Sequence, residues 1–304
     1  MIKKFLCAAM IICFSLSSFA GYDEGIAAFE KKDYVTAFKE LLPVANSGNA
    51  QAQYYVSRLY TAGQGVEKDK KEAFRLLALS AQQGVQESEY MLALYYLGGI
   101  EVPLDKKEPI RLLTHSANRG YIPSQFQLGE IYRIGLYAPQ DFKKSLKWYR
   151  LAAEYEEPAA LMALSEMYFE GKGVQKNGIE AVRLLRILAD KGDPNGQVLL
   201  GLTYEYGEPE VPKNIDDALK WYRLAASQNN ETAREAIERI NTERRDEELF
   251  PSIPAQITGV VSCNTRCQNA ACWRTYDNGN KVRFQAKRVF DTFTNQFKFE
   301  AGNC

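Results

Sequence analysis

The sequence predicts an all-α fold, an α-solenoid of helix-turn-helix repeats, ending in a small disulfide-stapled, β-rich C-terminal module. Three observations carry this expectation. Columns of like residues recur every 36 positions through most of the 304-residue chain. Each recurrence holds two stretches of helical periodicity separated by glycine. After residue 249 the period stops, strand-like alternation begins, and the cysteines that lie outside the N-terminal leader are all found there. Lys+Arg and Asp+Glu both number 38, so no global field points to nucleic acid or a membrane. A hydrophobic content of 46% with 25% charged residues describes a folded chain rather than a disordered one.

The first element, residues 1–20, reads as a secretory signal peptide. Lys3 and Lys4 form a basic start, Phe5 to Leu16 is an apolar run of 12 residues, and Ser18-Phe19-Ala20 supplies small residues for cleavage after Ala20. The run is too short to span a bilayer. Ile12 before Cys13 is too bulky for a lipid-attachment site. Cleavage leaves 36 basic against 38 acidic residues and removes Cys7 and Cys13. No transmembrane segment is then expected.

Residues 21–248 form the repeat array. Tyr60, Tyr96, Tyr132, Tyr168 and Tyr204 are spaced by 36, as are Gly63, Gly99, Gly135, Gly171 and Gly207. Ala81, Ala117, Ala153 and Ala189 keep the period, and Ala226 follows one residue late, after an insertion in the Glu208–Pro212 loop. An incomplete unit with Asp33, Ala37, Ala45 and Gly48 precedes them. Within the fourth unit, Ala160 to Phe169 predicts a first helix with Leu161, Leu164 and Tyr168 on one face. A second helix is predicted from about Gly178 to Lys191, with Leu184, Leu185 and Leu188 inward. Ser57, Ala93, Gly129, Ser165 and Gly201 form a column of small residues that lets a neighbouring helix come close. Trp148-Tyr149 and Trp221-Tyr222 fill the matching gap in their own units.

Helix ends are also written into the chain. Asp69-Lys70-Lys71-Glu72 and Asp105-Lys106-Lys107-Glu108 fit a capping box, in which the Asp accepts from free helix N–H groups and the Glu reaches back. Gly84, Gly120 and Gly192 stand where a left-handed residue ends the helix. Gly171-Lys172-Gly173 resembles a phosphate loop, but it recurs between helices as GQGV and GLYA, which makes it a structural turn. Thr232 to about Glu248 is expected to be a closing helix, with Ala233, Ala236, Ile237 and Ile240 on its apolar face.

The pattern A-x-x-x-L-[GAS]-x-x-Y-x-x-G-x-G-V-x-x-D, followed by A-x-x-W/L-Y/L-x-x-A-A-x-x-G, resembles the Sel-one-like repeat family. ALMALSEMYFEGKGVQKN and ALKWYRLAASQNN carry the match best, and it covers roughly Gly25 to Asn230. The resemblance implies an α-solenoid related to tetratricopeptide arrays, with a protein partner on its concave surface and no common chemistry. The physics agrees: one helix pair cannot bury its apolar face, whereas stacked pairs can. Some cysteine-rich members are linked to β-lactam binding or hydrolysis and carry a cysteine pair in each repeat. Residues 21–262 contain no cysteine, so that role is not carried over.

Residues 249–304 are a linker and a cysteine-containing β module. Cys272–Tyr276 and Lys281–Ala286 flank a turn at Asp277–Asn280, and Gln296–Glu300 is a third expected strand. Cys263, Cys267, Cys272 and Cys304 are expected to form two disulfides after export, with three pairings open. Zinc is the alternative, although C-x3-C-x4-C-x31-C is not a zinc-ribbon spacing. Residues 250–304 hold seven bases and three acids. Alternation places Arg274, Lys281 and Arg283 on one basic face, expected either to meet an anionic envelope polymer or to be merely solvated.

No G-x-S-x-G, H-E-x-x-H or S-x-x-K motif occurs, and His115 is the only histidine. His115 falls in the column of Leu79, Leu151, Ile187 and Leu224, which predicts a packing role. No catalytic, cofactor or metal residue is therefore expected. The leading reading is an exported, periplasmic or secreted, protein-binding scaffold whose partner the sequence does not name. The alternatives are a peptidoglycan-directed enzyme or its regulator, and a secreted factor that binds a host protein.

Overall fold

The structure is a computed structural model that describes residues 21–99 and 107–249, and the strand residues 263–268, 271–276, 281–285, 287–291 and 296–300. The expected leader, Asp105, the expected Phe250–Pro254 linker, the expected Asp277–Asn280 turn and Cys304 lie outside the described residues. By backbone packing the chain divides into two compact units, Met1–Ala225 and Ala226–Cys304.

The first unit is a stack of antiparallel helices. The order is α1 (21–30), α2 (Tyr34–Asn46), α3 (Ala50–Ala62), α4 (Lys70–Gln82), α5 (Gln86–Leu97), α6 (Lys107–Asn118), α7 (Ile122–Ile134), α8 (Phe142–Ala153), α9 (Pro158–Glu170), α10 (Gly178–Asp190), α11 (Pro194–Tyr206) and α12 (Ile215–Ser227). From α2 to α11 each helix packs on the one before it. Each helix from α3 to α10 therefore buries two flanks, and distinct apolar clusters follow one another along the array. Leu161, Leu164, Leu184, Leu185 and Leu188 are all buried, as their spacing predicts.

The small-residue column has the expected use. A Cβ on Gly201 would lie 2.6 Å from Cε1 of Tyr222, and one on Gly129 would overlap Tyr149. Units that carry Ser57, Ala93 or Ser165 pair them with Leu77, Leu113 or Leu185, all buried. Glycine thus accompanies the tyrosine and a slightly larger residue accompanies the leucine. A second complementary pair joins consecutive units. Ser80 and Ser88 meet at 2.7 Å, and Ser116 and Ser124 at 3.0 Å. Their counterparts are Ala152 with Ala160, and Leu188 with Gly196, where a Cβ would lie 2.5 Å from Leu188. Each joint is either doubly polar or doubly apolar, so none strands a hydroxyl in the core.

The glycine connectors are turns. Gly171 and Gly173 have φ of +73° and +71°, a conformation that glycine adopts at least cost. A Cβ on Gly173 would also lie 2.5 Å from the carbonyl oxygen of Phe142, one unit earlier. Where that second glycine is replaced by Tyr137, the tyrosine hydroxyl donates to the Leu97 carbonyl at 3.2 Å. The insertion after Gly207 folds into a small bridge, Glu208 to Val211.

Asp69 caps α4 by accepting from the N–H groups of Lys71 and Glu72, both at 3.0 Å. The reciprocal half of the capping box is absent. Glu72 instead takes a bidentate pair from Arg75 at 2.8 and 2.6 Å. The guanidinium offers two charge-assisted bonds against the single backbone bond. Glu108–Arg111 and Glu180–Arg183 repeat this arrangement.

In the second unit, α13 (Glu231–Leu249) buries Ala233, Ala236 and Ile240. Five strands follow: β1 (Cys263–Gln268), β2 (Ala271–Tyr276), β3 (Lys281–Gln285), β4 (Lys287–Asp291) and β5 (Gln296–Glu300). β1-β2-β3 form one antiparallel sheet and β4-β5 another.

Candidate functional site

The first helix of each repeat has a second apolar column beside its core-facing stripe. Tyr54, Tyr90, Phe126, Met162 and Val198 recur at 36-residue spacing, and the first four are only half-buried. On α7 and α9 this column, with Leu199 and Leu202 of α11, lines a groove of about 510 Å³. Phe126, Met162, Phe169, Leu199 and Leu202 give it an apolar lining, and Tyr206 stands at its edge with 68% of its surface exposed. Ala163, Ser165 and Thr203 keep the lining low between the larger side chains. A concave apolar surface with few polar groups is the ordinary form of a binding site.

Polar groups border this lining. Arg133 donates to Glu130 at 2.7 and 3.0 Å, and Tyr149 donates to the same carboxylate. Burial opposes ionisation of Glu130, but the bonds from Arg133 and Tyr149 outweigh it and hold the carboxyl below its ordinary range. Burial, with the bond to Glu130, raises the Tyr149 hydroxyl well above its usual range. Glu130 is thus an ionised, fully engaged acceptor, unsuited to work as a general base. At the other rim Glu208 pairs with Lys176 at 3.2 Å.

Towards the N-terminus the same column runs into an aromatic patch. Arg58 lies 4.9 Å from the Phe29 ring centre and 5.6 Å from that of Tyr54, and Tyr90 meets Tyr121 edge-on at 5.7 Å. Burial, then the neighbouring Tyr54 and Glu87, push the Tyr121 hydroxyl up to about 12. It stays neutral, and able to donate, across physiological pH.

His115 departs from its expected packing role. Its side chain is 54% exposed, and its Nδ1 lies 2.7 Å from Oε1 of Glu89, which is 4% exposed. The column reading failed because its members sit at the edge of the core, where a polar ring is admissible once a buried carboxylate faces it. Glu89 itself stands in a column with Gln53, Gln125 and Gln197, whose amides donate to the carbonyls of Ala45, Ala117 and Ala189 at 3.1–3.2 Å. Glu89 has no amide N–H to make that bond, and its Oε2 has no hydrogen-bond partner.

The strand register separates the expected basic face. Lys281 pairs opposite Thr275, Arg283 opposite Trp273, and Arg274 opposite Val282. Directly opposed residues share a face, so Arg274 falls on the face opposite to Lys281 and Arg283. Arg274 would share a face with Lys281 and Arg283 only if Tyr276 stood opposite Lys281, where the structure has Thr275. A register shift of one residue moves every position of a strand to the other face. Cys267 and Cys272 are directly opposed, and Cys263 lies opposite Tyr276.

Among the described residues, no three His, Cys, Asp or Glu side chains form a cluster that could hold a metal ion. Among the same residues, no helix is long and apolar enough to cross a membrane. The groove was not read from the sequence. Part of its signal, the half-buried column Tyr54, Tyr90, Phe126 and Met162, is visible there once the core-facing columns are set aside, whereas Leu199 and Leu202 stand at other positions of the repeat.

Comparison with known proteins follows the same repeats. The Sel1 repeat matches residues 50–85, 86–121, 122–154, 158–193 and 194–230. A Sel1 repeat protein from Oxalobacter formigenes is 28% identical with a TM-score of 0.63, over 71% of this chain and 86% of that one. The c5321 protein of uropathogenic Escherichia coli, described as a protective antigen with an SLR fold, is 24% identical with a TM-score of 0.53. That alignment covers 74% of this chain and 57% of c5321. A comparison with curated proteins finds no match.

Proposed function

The chain belongs to the Sel1 repeat family, and from that premise we propose that it is an exported scaffold that holds a partner protein in the groove of α7, α9 and α11. Sel1 repeats mark a protein–protein interaction scaffold. Export, an envelope or extracellular location and two disulfides are our reading of the leader and the C-terminal cysteines. The observation that carries the binding site is the apolar groove itself, which three successive first helices line. Its size suits a short helix or extended segment that inserts two or three apolar side chains. Glu130 and Arg133 are already paired with each other, so the polar rim orients such a segment more than it attracts one.

The test compares the mature protein with a Leu202→Arg, Tyr206→Ala variant in affinity capture from envelope extract, with helicity checked by circular dichroism. The partner recovered by the parent should be lost, with affinity weakened about tenfold or more, equivalent to about 1.4 kcal/mol. Equal recovery by a folded variant would remove the groove from the account. A turnover assay on peptidoglycan separates this reading from an enzymatic one.

A further inference from the structure

We propose that the four cysteines outside the leader pair as Cys267–Cys272 and Cys263–Cys304. The inference rests on the exported reading for its oxidising environment, and on strand register for its pairing. Four cysteines allow three pairings. Two of these require Cys263 to join Cys267 or Cys272. Cys263 and Cys267 lie on the same strand, four residues apart, which is roughly 13 Å at about 3.4 Å per residue. Cys272 is directly opposite Cys267, so it is at least as far from Cys263. A disulfide joins Cα atoms about 4.4–6.8 Å apart. Both of these pairings therefore fail.

The remaining one fits. Gln268 and Ala271 close a two-residue connection, and Cys267 and Cys272 are the next pair outward. In such a hairpin the closing pair exchanges hydrogen bonds and the next pair does not. The non-bonded pair is the closer kind, with Cα atoms about 4.5 Å apart, inside the disulfide range. Cys263 is then left for Cys304. The same span of roughly 13 Å argues against one zinc ion held by all four thiolates, since Zn–S bonds are only about 2.3 Å long.

Each bridge forms one S–S bond from two thiols and releases two protons and two electrons. The acceptor is another disulfide, on an oxidoreductase or a small molecule, which is reduced to two thiols by exchange.

Trypsin resolves the pairing, because Arg266 and Arg274 bracket both members of the hairpin pair. The chain without its leader is oxidatively refolded in a glutathione buffer, and the same chain is recovered from its native host. Both are alkylated and digested without reduction for mass spectrometry. The expected products are peptide 267–274 lighter by two hydrogens than its dithiol, and peptide 246–266 joined to peptide 299–304. A link between 246–266 and 267–274, or four alkylated thiols after refolding, overturns the proposal. The expected pairing after refolding, with free thiols in the native-host protein, upholds the pairing and overturns only the exported reading.

Discussion

At the residue scale, the repeats act as internal controls for one another. Glu89 stands where Gln53, Gln125 and Gln197 each donate to a carbonyl of the preceding helix. Glu89→Gln should restore that bond and remove a buried carboxylate oxygen without a partner. We expect the variant to be more stable by about 1 kcal/mol in urea unfolding at neutral pH. A loss of that size would mean that the His115 contact matters more than the ladder. Gly129→Ala should cost about 1–3 kcal/mol by overpacking against Tyr149. Adding Tyr149→Leu recreates the Ala93–Leu113 combination of an earlier unit. The double variant should be more stable than the sum of the two single changes implies, which a double-mutant cycle measures. The small column was legible because its period is fixed. Its partner on the facing helix was legible only as bulk, because which atoms meet depends on helix spacing.

At the element scale, helix ends and strand pairing carry the tests. Arg75 and Arg183 hold Glu72 and Glu180 below the ordinary carboxyl value of 4.5, and Glu130 is held below it despite burial. A lowered folded value means stabilisation that is fully present above that pH and is lost as the pH falls through the folded values. The urea midpoint should therefore be flat from neutral pH to about 5 and decline below it. Arg133→Gln should shrink the decline, and an unchanged profile would contradict the assignment to Glu130. In the C-terminal sheet, the register separates Arg274 from Lys281 and Arg283. If the sheet meets an anionic envelope polymer, changing Lys281 and Arg283 to Ser should weaken retention on anionic fractions at low salt. Arg274→Ser should leave it unchanged. Equal effects from both would return Arg274 to the same surface. Helix limits were legible to within two or three residues, since caps and glycines mark them. Register was not, because alternation fixes faces within one strand but says nothing about how two strands align.

At the scale of the whole molecule, the period of 36 residues decides the architecture, and the architecture decides the surface. Stacked pairs bury the two flanks of each first helix that face its neighbours and leave a column between them half-open, so an apolar residue there has no structural obligation to the core. Met162, Leu199 and Leu202 are such residues, and they converge only because successive units repeat the same rotation of the helix. That convergence is a property of several units together, which is why no single stretch of sequence announces it. Site-specific photo-cross-linking tests the central claim most directly. A photoreactive side chain is placed at Tyr206 in the groove or at Ile179, which is 63% exposed and outside it. In envelope extract the account predicts one discrete adduct from position 206 and none from 179. No adduct from 206, or the same adduct from both positions, would contradict it.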